Sequence, residues 1–192
     1  MVYSFVIEAM RVVAGEARGR RIGTLRNLGA RPTTSRVRSA LFSILESVGL
    51  EDKRVVDLYA GTGSLGIEAL SRGALWADFV EANPRRCSLL RKTLSALGFS
   101  DRAGVHCMKV ERAIDVLDKS YDFVLMDPPY TLGPPHDVIK RLRSLAVNGA
   151  LVAVGHSRHH SLEPSYDGLV LIRERQYGDT VFTLYREGGD QC

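Results

Sequence analysis

The chain has 192 residues, of which 45% are hydrophobic and 25% are charged, and its formal net charge is +4. A chain of this length makes one domain that buries about 70% of its unfolded surface without disulfides or metals. No apolar run approaches the ~20 residues of a membrane span, and no signal-peptide pattern opens the sequence. We expect a cytoplasmic protein without a membrane partner, and we expect it to be monomeric.

Positive charge is concentrated near the N-terminus. Between Arg11 and Arg38 there are eight arginines and one acid, Glu16, which gives this segment a charge of +7. From Ser39 onward, 18 basic and 20 acidic residues give a charge of −2. Arginine forms bidentate contacts with phosphate groups, whereas a surface that only keeps a protein in solution interleaves lysine with glutamate. The pattern predicts a nucleic-acid partner.

The N-terminal segment is predicted to form an arm. Residues 1–9 carry no motif and are treated as an extension. Within residues 10–33, short β-like runs at 11–15 and 20–25 flank a glycine-bounded turn, which favours a hairpin. Its arginines would project from a two-stranded finger, and this finger must pack on the main domain or on its ligand because a bare hairpin is marginally stable. The main domain is predicted to span residues 34–192.

A helix is predicted to follow the arm. Hydroxyl residues before Arg36 can cap its N-terminus, and Gly49 can end it. Its apolar positions recur at helical spacing: Val37, Ala40, Leu41, Ile44, Leu45 and Val48. Arg36 and Arg38 fall in its first turn, where the positive helix end disfavours cations. An anionic partner or simple exposure would each account for these two arginines.

From Lys53 onward, strand-like and helix-like segments alternate. Strands are predicted near residues 54–58, 77–81, 104–108, 122–126 and 150–155. Helices are predicted near residues 64–72, 84–97, 111–118 and 136–146. Two further runs, 169–175 and 180–186, predict a terminal antiparallel hairpin. The alternation implies right-handed βαβ crossovers and a parallel sheet with helices on both faces.

The segment from Val55 to Gly66 joins an apolar strand to a Gly-x-Gly-x-x-Gly turn and a helix N-terminus. The glycines at 61, 63 and 66 lack the Cβ atoms that would keep a ligand away from the backbone. Glu81 follows about twenty residues later, where an acid holds the ribose of a bound nucleotide. Ligands of such sheets lie outside the carboxyl ends of the strands. Asp57, Glu81 and Asp127 all end predicted strands and should therefore gather around one crevice.

Asp127 opens the tetrapeptide Asp-Pro-Pro-Tyr. Together with Asp-x-x-x-Gly-x-Gly at 57–63, it resembles the motifs of amino-methyltransferases that use S-adenosylmethionine (SAM). The Asp127 carboxylate and the Pro128 carbonyl can accept both N–H bonds of an exocyclic amine, which localises the lone pair of the amine toward the methyl group. Tyr130 supplies a ring on which the target base can stack, worth about 1–3 kcal/mol.

Four other motifs extend this resemblance: RVVAG at 11–15, RGR at 18–20, RPTTSRVR at 31–38 and ALF at 40–42. Over Met10 to Arg186 the chain resembles the RsmD family of bacterial 16S rRNA (guanine-N2)-methyltransferases. The resemblance implies an α/β, Rossmann-like sheet of seven strands with an N-terminal hairpin arm. It also implies SAM as cofactor and methyl transfer to the N2 amine of one guanine in the 16S rRNA of the small subunit or of an assembly intermediate.

The resemblance further implies roles for individual residues. The SAM-binding motifs contain Asp57, Gly61, Gly63 and Glu81, and the catalytic motif contains Asp127, Pro128 and Tyr130. The arginines implied in RNA contact are Arg11, Arg18, Arg20, Arg21, Arg31, Arg36 and Arg38. Val110 stands where a polar residue often contacts the adenine of SAM, so that contact is expected from the backbone or from Glu111. Ser35 and Ser39 stand where acids are frequent, which makes this arm more basic.

The cysteines and histidines predict no metal site. The three cysteines, at 87, 107 and 192, are odd in number and lack Cys-x-x-Cys spacing, which favours reduced, structural thiols. The histidines at 156, 159 and 160 are predicted to lie in a solvated loop, because no acid or cysteine stands at ligand spacing.

Three other functions compete with rRNA methylation. Asp-Pro-Pro-Tyr also serves DNA adenine-N6 methyltransferases, but these usually need an added target-recognition region, for which the chain has no room beyond its arm. A nicotinamide-dependent oxidoreductase would need a substrate domain and a proton donor, and neither is found. An RNA-binding assembly factor without catalysis would not need the intact Asp127 and Glu81.

Overall fold

The computed structural model describes residues 10–24, 34–118, 120–130 and 133–188. The proposed extension at 1–9, Arg31 and Cys192 lie outside these residues. Eight strands form one sheet in the described part of the chain: β1 Arg54–Leu58, β2 Trp76–Glu81, β3 Ala103–Cys107, β4 Tyr121–Met126, β5 Ala146–Ser157, β6 Ser165–Tyr166, β7 Leu169–Tyr177 and β8 Thr180–Glu187. The α-helices of that part are α1 Ser35–Ser47, α2 Ser64–Ser71, α3 Pro84–Leu97, α4 Val110–Val116 and α5 His136–Arg141.

The strands follow the order β3-β2-β1-β4-β5-β8-β7-β6. Strands β1 to β5 are parallel, and β8, β7 and β6 add to β5 in antiparallel fashion. The carboxyl ends of β2, β1, β4 and β5 therefore lie side by side at one edge of the sheet, which we call the carboxyl edge. This architecture confirms the predicted α/β, Rossmann-like class, with eight strands instead of seven.

The eighth strand was not predicted because β6 has only two residues, Ser165 and Tyr166, which pair with Val170 and Leu169. A run this short carries no alternating pattern.

The predicted helix at 136–146 was too long. Helix α5 ends at Arg141 and a 3₁₀ turn follows at Leu142–Ser144. The Leu145 carbonyl then accepts hydrogen bonds from the N–H groups of Ser120 and Tyr121 at 3.1 Å each, so sheet pairing replaces the helix.

Helix α1 begins after Thr34, whose Oγ1 accepts a hydrogen bond from the Val37 N–H at 3.4 Å. Three residues of its predicted apolar stripe are buried, whereas Val48 is 43% exposed. The buried side chains of this helix are Val37, Arg38, Leu41, Phe42 and Leu45.

Helices α1, α2 and α3 contribute to the core on one face of the sheet, and α4 and α5 contribute to the core on the other. The first core is the larger and includes Phe42, Phe79 and Phe182. Strands β1 and β4 are buried almost throughout, as expected for parallel strands that are covered on both faces. No helix in the described part of the chain is both long and apolar enough to cross a bilayer.

The first described segment, residues 10–24, folds back on itself, with one antiparallel bridge between Arg11 and Arg21. It does not project as a finger. Its turn docks against the C-terminal end of α2, where the Glu16 N–H donates to the Ser71 carbonyl at 2.8 Å. A Cβ at Gly15 would lie 1.7 Å from that same carbonyl oxygen, so only glycine fits there. The turn therefore lies toward the edge of the sheet opposite the carboxyl edge.

Candidate active site

The glycine loop lies between β1 and α2 at the carboxyl edge, and its three glycines serve different purposes. A Cβ on Gly61 would meet only the Tyr59 carbonyl oxygen, at 3.8 Å, so this glycine faces open space. A Cβ on Gly63 would lie 2.4 Å from Leu90, and one on Gly66 would lie 2.3 Å from Phe79. The prediction that all three glycines leave room for a ligand is therefore wrong for Gly63 and Gly66. The absence of a side chain at these two positions makes room for core residues instead.

Asp57 is buried at the end of β1, and its Oδ2 accepts a hydrogen bond from the Gly66 N–H at 2.9 Å. This bond ties the strand to the first turn of α2, so Asp57 orders the glycine loop. Burial raises the pKa of Asp57 to about 7. The Gly66 N–H opposes this rise, whereas repulsion from Asp127 and Glu81 adds to it. The three carboxylates predicted to share one crevice thus lie within electrostatic reach of one another.

Glu81 is buried at the end of β2, next to the glycine loop. Its Oε2 accepts a hydrogen bond from the Gly61 N–H at 2.9 Å, and its Oε1 accepts one from the Asn83 N–H at 2.7 Å. The Arg86 guanidinium lies 3.7 Å from Oε2. A carboxylate offers about four lone-pair positions, so these backbone contacts fix Glu81 while leaving capacity for hydroxyl donors of a ligand.

Asp127 follows β4, the strand that lies between β1 and β5. On the β5 side, a Cβ at Gly155 would lie 2.5 Å from Asp127 Oδ1, so the carboxylate occupies the space that this glycine leaves. Pro128 is buried and Pro129 is exposed. Because proline fixes φ, the two prolines stiffen the chain directly after the carboxylate.

Tyr130 is half-buried at the same edge, and its hydroxyl donates to Thr180 Oγ1 at 3.2 Å. Thr180 begins β8 and lies opposite Ser157 at the end of β5. The ring of Tyr130 is thus anchored to the antiparallel part of the sheet, on the far side of Asp127 from the glycine loop.

Val110 and Glu111 begin helix α4. Val110 is buried in the core, whereas Glu111 is exposed. Glu111 lies close enough to Tyr59 to raise the pKa of that phenol, although burial is the larger cause. Tyr59 adopts a φ of 59°, which is rare for a residue with a bulky side chain. Residues with such strained backbone angles cluster at functional sites. Sequence reasoning missed Tyr59, and the only signal was its position between Asp57 and Gly61.

The structure describes six of the seven predicted RNA-contacting arginines. Four are exposed: Arg11, Arg18, Arg21 and Arg36. Arg20 is exposed too, but its guanidinium donates to the carbonyls of Ala96 and Leu97, which end helix α3. Arg31 lies outside the described residues.

For Arg38, the expected exposure is wrong. Its side chain is only 1% exposed and donates to the Arg11 carbonyl at 2.6 Å. Burial lowers the pKa of Arg38, and the nearby Glu68 carboxylate opposes that effect. The periodicity of α1 could not predict the burial of Arg38, because the carboxylate that compensates its charge, Glu68, lies on another helix, α2.

The histidine prediction is also wrong in part. His156 does not lie in a loop; it is buried in β5, where its Nε2 lies 2.8 Å from Thr183 Oγ1. Burial lowers the pKa of His156. His159 and His160 do follow the strand as predicted. Among the described residues, no group of three or more histidines, cysteines or acids could hold a metal ion.

Comparisons with known proteins agree with the sequence motifs. The model of the family described as Conserved hypothetical protein 95 matches residues 10–186. YlbH of Bacillus subtilis is 31% identical over 186 residues, which cover 94% of this chain and 100% of that protein. Ribosomal RNA small subunit methyltransferase D of Escherichia coli is 31% identical over 182 residues, which cover 92% of this chain and 89% of that enzyme.

A solved structure of YhhF from Escherichia coli superposes with a TM-score of 0.84 and 29% identity, over 95% of this chain and 99% of that one. The family match and the two relatives span nearly the whole of the described fold. The chain belongs to the Conserved hypothetical protein 95 family, which is the RsmD family that its motifs resemble.

Proposed function

We propose that this protein transfers a methyl group from SAM to the exocyclic N2 amine of a guanine in 16S rRNA. The observation that carries the proposal is the position of Asp127 and Tyr130 after β4, beside the carboxylates of Asp57 and Glu81. Relatives named as small-subunit rRNA methyltransferases support an RNA methyltransferase. The guanine target and the 16S substrate rest on the sequence resemblance.

The cofactor is proposed to be SAM, and the residues at the carboxyl edge fit it. Gly61 leaves open space beside its backbone, and the fixed Glu81 carboxylate retains acceptor positions for two ribose hydroxyls. Asp57 is proposed to order the glycine loop near the methionine portion, and the adenine contact is proposed to come from the backbone at Val110 or from Glu111. When bound, SAM would supply a methyl group attached to a positively charged sulfur, and the sulfur would leave as a neutral thioether when an amine takes the methyl group.

The target amine is a poor nucleophile because its lone pair is delocalised into the base. The Asp127 carboxylate and the Pro128 carbonyl are proposed to accept its two N–H groups, which localises the lone pair. Since Asp127 directly follows β4, which is paired on both sides, and is itself followed by two prolines, these acceptors need little reorganisation when the amine arrives.

Tyr130 is proposed to hold the target base out of its stack. Stacking on an aromatic ring contributes about 1–3 kcal/mol, which is comparable with the few kcal/mol that extrusion of a base requires. The hydrogen bond to Thr180 keeps the ring in place before the base binds.

The five exposed arginines, Arg20 among them, and Arg31 are proposed to contact rRNA phosphates, with residues 10–33 as the RNA-binding arm and residues 34–192 as the methyltransferase domain. Arg38 is no longer proposed as a contact, since its guanidinium is buried. The proposed partner is the small subunit or an assembly intermediate in the cytoplasm, bound by a monomer.

One experiment tests the reaction and the substrate class together. Purified protein and methyl-labelled SAM are incubated with unmodified small subunits, with free small-subunit rRNA and with adenine-rich duplex DNA, and the methylated nucleoside is identified. The expected product is N2-methylguanosine in the rRNA. N6-methyladenine in DNA would replace the proposal with the rival activity, and bound SAM without any transfer would favour the assembly-factor function.

A further inference from the structure

We propose that the loop at residues 158–162, which follows β5, is a second RNA-binding surface that contacts the phosphates of the target nucleotide. This inference rests on the proposed function, because it requires an RNA whose base enters beside Asp127. It adds a substrate contact that the N-terminal arm does not provide.

The loop lies directly beside the catalytic motif. Strands β4 and β5 are neighbours, and the space left by Gly155 is filled by the Asp127 carboxylate. Two residues further along β5, Ser157 is paired with Thr180, the residue that holds the Tyr130 hydroxyl. Any nucleotide whose base stacks on Tyr130 therefore has its ribose and phosphates near the start of this loop.

The composition of the loop suits phosphate groups. Three consecutive residues, Arg158, His159 and His160, carry N–H donors, and residues 158–162 contain no acid, since Glu163 comes only after them. Arg158 and His159 are exposed. A guanidinium has five N–H donors in a planar fork that matches phosphate oxygens, and imidazole N–H groups donate in the same way.

Local hydrogen bonds fix the backbone of the loop. The Arg158 N–H donates to the Asp179 carbonyl at 3.0 Å, the His160 N–H donates to the Ser157 carbonyl at 3.0 Å, and the His159 N–H donates to Ser157 Oγ at 3.3 Å. The Arg158 Nε atom lies 3.1 Å from Asp179 Oδ1, with both side chains about half exposed. Asp179 thus orients the guanidinium, and because a surface ion pair is weak, an RNA phosphate can compete for it.

The N-terminal arm and the loop after β5 lie on opposite sides of Asp127. The turn of the arm docks on the C-terminal end of α2, and Arg20 binds the last carbonyls of α3. Both helix ends lie toward the edge opposite Asp127, whereas Met10 at the base of the arm reaches the glycine loop, where its Sδ lies 3.5 Å from Thr62 Oγ1. The arm therefore lies on the glycine-loop side of Asp127, and the loop after β5 lies on the other side. Arg158 directly follows β5, the strand that pairs with β4 beside the catalytic motif.

The test compares one arginine variant with one lysine variant, each of which loses one positive charge. Arg158→Ala removes a half-exposed cation that is paired with an acid at the carboxyl edge. Lys53→Ala removes a similar cation, 46% exposed and 3.3 Å from Asp122, at the opposite edge. The unaltered chain, both variants and the double variant His159→Ala/His160→Ala are assayed for methyl transfer to small-subunit RNA at several salt concentrations.

We expect Arg158→Ala to raise KM for RNA on the order of tenfold and to lower the salt dependence of binding by roughly 0.7 in slope per lost phosphate contact. The affinity for SAM and the melting temperature should not change, and Lys53→Ala should match the unaltered chain. The histidine variant should shift KM in the same direction. Arg158→Lys should recover part of the loss, since it keeps the charge without the fork.

Other results overturn the inference in distinguishable ways. Equal effects of Arg158→Ala and Lys53→Ala would show a general charge effect, and a lowered melting temperature with unchanged salt dependence would show a structural role. If the unaltered chain methylates RNA and Arg158→Ala does so with the same KM, only this inference fails. If the unaltered chain methylates no RNA, the proposed function and this inference fail together.

Discussion

Glu81 Oε2 accepts a hydrogen bond from the Gly61 N–H at 2.9 Å, and this contact helps join the end of β2 to the glycine loop after β1. The second oxygen accepts from the Asn83 N–H, which precedes helix α3. One carboxylate therefore fixes three segments that surround the proposed cofactor site. It also keeps the acceptor capacity that a ribose requires.

Glu81→Ala should weaken SAM binding by roughly a hundredfold, because two hydrogen bonds between the carboxylate and the ribose are lost and the Gly61 N–H loses its partner. Glu81→Gln should weaken it less, on the order of tenfold, since the amide oxygen still accepts one bond. Titration calorimetry with SAM measures both. Unchanged affinity in Glu81→Ala would remove Glu81 from the cofactor site.

Asp127→Ala should abolish methyl transfer while SAM still binds, because the lost carboxylate acts on the amine and not on the cofactor. Asp122→Ala is the matched control, since it removes an acid from the other end of β4, where its Oδ2 accepts from the Arg54 N–H at 2.9 Å. Single-turnover kinetics measures methyl transfer, and titration with SAM measures cofactor binding. Simultaneous loss of SAM binding and turnover in Asp127→Ala would contradict the catalytic role.

Tyr130→Ala and Tyr130→Phe separate stacking from hydrogen bonding. Loss of the ring should raise KM for RNA about tenfold or more, as expected from the loss of about 1–3 kcal/mol of stacking. Tyr130→Phe keeps the ring and loses the hydrogen bond to Thr180, so its KM should rise much less. Equal KM values in the two variants would mean that the ring does not stack on the base.

The raised pKa of Asp57 makes a prediction about stability and pH. Its ordinary pKa is 3.8 and its folded pKa is about 7, so the folded state holds this proton more tightly than the unfolded state. The stability that Asp57 contributes is complete below about pH 4 and is lost as the pH rises through 7. Asp57→Asn should therefore gain stability relative to the unaltered chain between pH 5 and pH 8, by up to a few kcal/mol. Urea unfolding of both proteins at several pH values measures the difference, and a constant difference would refute the predicted linkage.

Arg36 and Arg38 are two residues apart and should respond in opposite ways. Arg38→Ala removes a buried guanidinium beside Glu68 and should cost about 3 kcal/mol, or roughly 10 °C in melting temperature. Arg36→Ala should leave the melting temperature unchanged and weaken RNA binding, with a shallower salt dependence. Thermal unfolding and RNA titrations of both variants test this. A stable Arg38→Ala variant that binds RNA weakly would restore Arg38 to the RNA interface.

The sequence by itself determined the alternation of strands and helices and the position of the chemistry at the strand ends. These features are local, because an apolar strand, a glycine-rich turn and the apolar stripe of a helix are each encoded by residues close together in the sequence. Parallel strands then bring their carboxyl ends together at one edge of the sheet. Asp57, Glu81 and Asp127 could therefore be assigned to one crevice without coordinates.

Only the tertiary structure decided which side chains of a given type face solvent. Arg38 resembles its neighbour Arg36 in sequence, yet it is buried because Glu68 of another helix compensates its charge. Gly63 resembles Gly61, yet its missing side chain makes room for Leu90. His156 resembles His159, yet it belongs to β5 and meets Thr183 across the sheet. Each of these outcomes depends on a partner far away in the chain, and hydrophobic periodicity carries no information about such pairs.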